Sequence, residues 1–193
     1  RCAAGSSLGG FAAGGALVGG ALIWIITQTD YMKARIEIWQ DPFLEPRKGG
    51  FQPIQSMTAI GSGGLLGKGL GNSSQKHLFL PEEHNDYIFS IACEELGMVG
   101  ACVIMALFAL LIIRGFWLAL HARDRFGTLL VVGITSLTAF QTFFNIGVVT
   151  NFLPPTGISL PFFSYGGTAL AIQLAEMGMV LSVSRQIAAP KAE

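Results

Sequence analysis

The side chains best suited to chemistry lie in one polar run, Gln75-Lys76-His77-Leu78-Phe79-Leu80-Pro81-Glu82-Glu83-His84-Asn85-Asp86-Tyr87-Ile88-Phe89. Asp86 stands where this run meets an apolar one. A carboxylate there can work as a general base, taking a proton from a substrate hydroxyl. It could equally cap the amides that open the following helix, and the two roles compete, because hydrogen bonds to a carboxylate lower its basicity. Eight residues on, Glu94 falls on the same helical face, about 12 Å farther along. Glu95 adjoins it, and Glu176 stands inside a later apolar run. Carboxylates at membrane depth are costly and should face a protein interior or a wet cavity. Buried hydrogen bonding accounts for these three as well as catalysis does.

Other chemistries fit poorly. His77 and His84 are seven residues apart with no cysteine beside them, which matches no zinc spacing. No Gly-x-Ser-x-Gly elbow marks a serine nucleophile. The glycine-rich stretch at 61–71 has six glycines in eleven positions. It fails as a nucleotide phosphate loop twice: Ser62 stands where the first glycine is required, and Gly69 follows Lys68 where Ser or Thr is required. A tight backbone turn near lipid headgroups is the expected use, although its amides could still cradle a phosphate as a nest.

The elements that must position these residues are membrane helices. Of 193 residues, 51% are hydrophobic and 12% charged, against about 25% charged in soluble domains. That composition excludes disorder, and a net charge of zero excludes a nucleic-acid binder held by a basic field. Cys2, Cys93 and Cys102 are too sparse for a disulfide framework. Charge-free runs occur at 2–29, 96–113 and 126–175. A span needs about 20 apolar residues, so the last run is two spans, parted at Asn151-Phe152-Leu153-Pro154-Pro155-Thr156-Gly157. The expected architecture is an all-α polytopic bundle forming one membrane domain. It has spans at 3–29, 87–113, 127–150 and 166–184, and a large polar loop at 30–86. Arg114, Arg123 and Arg125 put the 114–126 loop in the cytoplasm, and Arg185 and Lys191 put the C-terminus there. The 30–86 loop is then extracytoplasmic. It opens with an amphipathic stretch at 31–39 suited to an interface, broken at Asp41-Pro42 and Glu45-Pro46. Glycine pairs in the first span, such as Gly10/Gly14 and Gly15/Gly19, suit close helix packing and imply partner helices. That segment has neither the basic start nor the length of a signal peptide. With no initiator Met, the chain is expected to be a C-terminal piece of a longer protein.

Two ordered motif sets carry a resemblance. The first is Gln55-Ser56, Gly61-Ser62-Gly63-Gly64, Gly67-Lys68-Gly69, Gln75-Lys76, Leu80-Pro81-Glu82-x-His84-Asn85-Asp86-Tyr87-Ile88-Phe89 and Glu94-Glu95-Leu96-Gly97. The second is Pro155-Thr156-Gly157-x-x-Leu160-Pro161-Phe162-x-Ser164-Tyr165-Gly166-Gly167. Over about residues 30 to 185 the chain resembles the SEDS family (shape, elongation, division and sporulation). Gln75-Lys76 is closer to its cell-division branch, FtsW, and to the sporulation relatives than to the RodA branch. The pattern departs at Asn85, Tyr87 and Thr168, where the family usually has Thr, Phe and Ser.

The resemblance implies the last four helices of a ten-helix membrane fold that polymerises lipid II into peptidoglycan glycan strands in the bacterial inner membrane. A piece of this extent is expected to be inactive by itself. It further implies that Asp86 is the catalytic base. Lys76, then Lys68, would face the pyrophosphate leaving group, while Gln75, His84, Glu82, Ser164 and Tyr165 would contact substrate. A divalent cation such as Mg or Mn could be held by Asp86 and Glu82. The implied partners are lipid II, a class B penicillin-binding transpeptidase and divisome proteins. Two rivals make other demands. A lipid II flippase would depend on Glu94, Glu95 and Glu176, and a non-enzymatic scaffold for the transpeptidase would not need Asp86.

Overall fold

The computed structural model describes residues 9, 13–20, 30–46, 49–73, 86–163 and 166–188. Most of the expected first span lies outside these residues; 13–20 are helical. A Cβ added at Gly14, Gly15 or Gly19 would meet nothing within 4 Å. The remaining elements are α1 (Asp30–Gln40), α2 (Phe51–Gly63), α3 (Ile88–Leu120), α4 (Arg125–Val149) and α5 (Gly167–Ala188). Among the described residues there is no strand. Among the described residues, three helices are long and apolar enough to cross a membrane: Ile88–Leu120, Arg125–Val149 and Gly167–Ile187. Their outward faces carry large apolar side chains such as Leu107, Leu110, Ile113, Phe140, Leu174 and Leu181, as a lipid-facing helix requires.

The polar segment 30–86 contains helical structure. α1 covers the expected interfacial stretch and ends at Gln40, just before Asp41-Pro42. α2 follows after a turn and packs against α3, burying Pro53, Ser56, Ala59 and Gly63.

α3 differs most from expectation. Its helix continues to Leu120, seven residues past the expected end at 113. Arg114 does not stop it, because the guanidinium folds over the Trp117 ring at 4.2 Å and Trp117 in turn stacks on His121. A long cationic side chain near a helix end can lie along apolar surface in this way. The connection to α4 therefore shrinks from 114–126 to 121–124. Asp124 caps α4 by accepting from the Gly127 amide at 3.0 Å. α3 is also broken at Gly97, whose φ of 69° and ψ of −170° lie in a region only glycine populates readily. The 23 residues beyond the break, 98–120, reach about 35 Å, enough for a bilayer core of about 30 Å.

Two apolar clusters hold the bundle. Tyr87, Phe89, Cys93, Val148, Val149 and Leu160 gather with Ala101, Ile104 and Phe108 at the end where α3 starts and α4 stops. Leu118, Ala119, Val131, Ile134, Val180 and Val183 gather at the other end. Between α3 and α4 the backbones come close at Gly115, where a Cβ would press on the Thr135 side chain. The buried hydroxyls of Thr138 and Thr142 donate to the carbonyls of Ile134 and Thr138, at 3.0 and 2.8 Å. No water is needed to satisfy them.

Candidate active site

The break in α3 frees backbone groups that the glycine-rich stretch then satisfies. The amides of Lys68 and Gly69 donate to the carbonyls of Glu94 and Glu95, each at 3.0 Å. Returning the pairing, the amides of Met98 and Val99 donate to Gly64 and Leu65 carbonyls at 2.9 and 3.2 Å. Such contact needs bare backbone: a Cβ on Gly67 would land on the Glu95 carbonyl, and one on Gly97 would land on the Gly67 amide. The stretch turns tightly, with positive φ at Gly64, Gly67, Gly69 and Gly71, and in doing so replaces the missing helical hydrogen bonds of α3. Irregular backbone at membrane depth is tolerated where protein satisfies it in this way.

Glu94 sits three residues before the break and is fully buried. Its Oε1 accepts from Lys68 Nζ at 2.6 Å and from Ser62 Oγ at 3.2 Å. Its Oε2 accepts from Ser73 Oγ. The carboxylate is thus paired with a cation and hydrogen-bonded on both oxygens, which is what makes a buried charge tolerable. Lys68, the second candidate to face a leaving group, pairs its ammonium with Glu94. Glu95 is half-buried, with Oε1 lacking a partner among the described residues. Glu176 is half-buried on α5.

Asp86 lies at the other end of the short first section of α3. The N-cap position belongs to Tyr87, which makes no side-chain capping bond. Three elements meet around it. Asn145, buried near the end of α4, donates through Nδ2 to the Asp86 carbonyl at 2.7 Å and to the Ile158 carbonyl at 2.8 Å. That amide ties the start of α3 to the loop after α4. In the same loop Gly157 adopts φ 71°; a Cβ there would come within 3.5 Å of Asp86 Oδ2. From the third element, α1, Arg35 Nη1 donates to the Pro155 carbonyl at 3.3 Å. α1 is lashed to the loop by a reciprocal pair: Trp39 Nε1 donates to the Asn151 carbonyl at 3.1 Å, and Asn151 Nδ2 to the Trp39 carbonyl at 3.3 Å. Burial pushes the Tyr87 phenol up to about 12, with Asp86 raising it further and Arg35 pulling it down. The phenol therefore keeps its proton at ordinary pH.

Gln75, Lys76, Glu82, His84, Ser164 and Tyr165 lie outside the described residues. Among those described, no group of three His, Cys, Asp or Glu side chains converges as a metal site would require. Two site residues were not anticipated from sequence. Asn145 had a signal, a carboxamide in a charge-free apolar run that also holds Gln141, Asn151 and Gln173; Arg35 was one cation among six in its segment.

The family model described as "Cell cycle protein", covering FtsW, RodA and SpoVE, matches residues 2–189. The chain belongs to this family. It is 46% identical over 166 residues to the probable peptidoglycan glycosyltransferase FtsW of Geobacter metallireducens, covering 86% of this chain and 44% of that protein. It is 47% identical over 163 residues to the stage V sporulation protein E of Bacillus subtilis, covering 84% and 44%. To the peptidoglycan glycosyltransferase MrdB of Escherichia coli it is 43% identical over 163 residues, covering 84% and 44%. The chain thus spans less than half the length of these relatives. Among solved structures, a chain of a peptidoglycan synthase complex that coordinates polymerization and crosslinking superposes with a TM-score of 0.70 at 32% identity, covering 93% of this chain and 48% of that one. An aspartate-to-alanine mutant of the rod shape determining protein RodA from Thermus thermophilus superposes at 0.55 with 27% identity, covering 96% and 60%.

Proposed function

We propose that the whole protein is a peptidoglycan glycosyltransferase that polymerises lipid II, with Asp86 as general base, in the division or sporulation branch indicated by Gln75-Lys76. In this reaction the sugar 4-hydroxyl of one lipid-linked disaccharide gives its proton to Asp86. Its oxygen bonds to the anomeric carbon of the lipid-linked chain. The bond from that carbon to the pyrophosphate breaks, and its electron pair leaves on the polyprenyl pyrophosphate. So good a leaving group removes the need for the second, acidic carboxyl that glycosidases use; one base and a cation suffice.

The observation that carries this reading is the placement of Asp86 at the junction of α1, the start of α3 and the 151–158 loop, at one end of three membrane-capable helices. Substrates on polyprenyl carriers present their sugars at such an end. The names of the relatives support the same substrate class. In this reading Gln75, Lys76, Glu82, His84, Ser164 and Tyr165 contact lipid II. The 30–86 segment faces the extracytoplasmic side of the bacterial inner membrane, and a class B penicillin-binding transpeptidase and divisome proteins are the partners. A Mg or Mn ion held by Asp86 with Glu82 would stabilise the leaving pyrophosphate.

The test uses the full-length protein with its transpeptidase, labelled lipid II in detergent, and gel separation of products. Asp86→Asn should lose 10²–10⁴-fold of the polymer-forming rate, about the usual value of a general base, while inserting normally. Undiminished polymer would discard Asp86 as the base.

A further inference from the structure

The reaction needs positive charge at the departing pyrophosphate, and Lys68 is held by Glu94, eight residues along α3 from Asp86. Among the described residues, a further cation approaches the Asp86 junction from α1. Arg35 reaches the 151–158 loop through the Pro155 carbonyl, two residues before the glycine that faces the Asp86 carboxylate. The Trp39–Asn151 pair, one turn farther along α1, fixes the helix that carries it. On the other side of the junction, Asn145 ties the Asp86 carbonyl to the Ile158 carbonyl of the same loop. Among the described residues, a Cβ at Gly157 would meet only Asp86 Oδ2, at 3.5 Å.

We propose that Arg35, beside the bare backbone of Gly157, forms an anion-binding subsite next to Asp86 that takes the diphosphate of the lipid-linked sugar donor. This rests on the glycosyltransferase reading and deepens it. A guanidinium is well matched to that ligand, being planar and permanently charged, with several donors in a fixed fork that fits phosphate oxygens. Its bond to the Pro155 carbonyl orients that plane. The base and the anion-binding group then sit on different elements, and a donor sugar linked to its diphosphate bridges them across Gly157. The same guanidinium chemistry would also accept an anionic phospholipid headgroup, so the membrane composition must be varied.

The experiment places the full-length protein and its transpeptidase in nanodiscs. It measures initial polymerisation rate against lipid II concentration, and inhibition by inorganic pyrophosphate. Arg35→Met should raise KM and weaken pyrophosphate inhibition, each by about tenfold or more, the scale of a lost charged hydrogen bond. Arg35→Lys should recover part of both. Asp86→Asn should lose turnover while keeping pyrophosphate binding by calorimetry. If Arg35→Met forms polymer with unchanged KM and unchanged inhibition, the subsite is wrong and the glycosyltransferase reading stands. A defect confined to nanodiscs containing phosphatidylglycerol, absent in phosphatidylcholine alone, would assign Arg35 to phospholipid and overturn the diphosphate. If the wild-type protein makes no polymer yet binds pyrophosphate, and Arg35→Met does not, the anion subsite holds while the reaction assigned to it fails.

Discussion

The proposed base is useful only where its position is fixed, and Asp86 is held by other residues. Asn145 holds its carbonyl from α4, and Glu94 anchors the same short section of α3 from the far end. The Glu94 carboxylate is fully buried and is matched by Lys68, Ser62 and Ser73. Removing one member of a buried ion pair strands the other and costs about 3–5 kcal/mol. Lys68 is partly exposed, so Lys68→Met should fall near the lower end, about 3 kcal/mol, read as a lower midpoint in thermal unfolding in detergent. Glu94→Gln should cost a similar amount. The double variant Lys68→Met/Glu94→Gln should be less destabilised than the sum of the two, because neither charge is left alone. Strict additivity would mean that the pair does not act as a unit.

At the scale of elements, the decisive feature is a helix that stops and restarts. The run at 87–113 reads as one unbroken apolar helix, and a glycine inside such a run is ordinary in membrane helices. Nothing in the local pattern distinguishes Gly97 as a break, because the break depends on a partner thirty residues earlier in the chain. Both halves of the interlock were visible as glycine-rich motifs, yet their pairing is tertiary. The polar–apolar boundary at Asp86 was legible because a carboxylate next to an apolar run has few uses. Asn145 was legible in principle for the same reason. Arg35 was not, since what singles it out is the loop it reaches. The interlock makes a direct prediction. Gly97→Ala would force a side chain into a conformation costing about 1–3 kcal/mol and press a Cβ onto the Gly67 amide. Polymer formation should drop with the loss of stability, and amide hydrogen exchange at Met98 and Val99 should accelerate. Alanine accepted there with unchanged protection would mean that the stretch at 64–69 does not pair with α3.

For the whole molecule, the distribution of polar structure along the bundle sets which end does chemistry. α1, α2, the start of α3 and the loop after α4 all collect at one end, while the other end has the short 121–124 connection with Arg123 and the neighbouring Arg125. Short basic connections stay in the cytoplasm, so the Asp86 end should face outward, where lipid-linked sugars are joined. The extension of α3 past Arg114 leaves this reasoning intact, because Arg114 still lies within two turns of the helix end. Labelling full-length protein in intact cells with a membrane-impermeant maleimide tests it. The native cysteines are first replaced by serine or alanine; Cys93 is buried and Cys102 exposed on an apolar face. A single cysteine at Glu45, exposed after α1, should react in intact cells, whereas one at Arg123 should react only after permeabilisation. The reverse pattern would put Asp86 on the cytoplasmic side, away from the growing wall, and no arrangement of the residues around it would then make it the polymerising base.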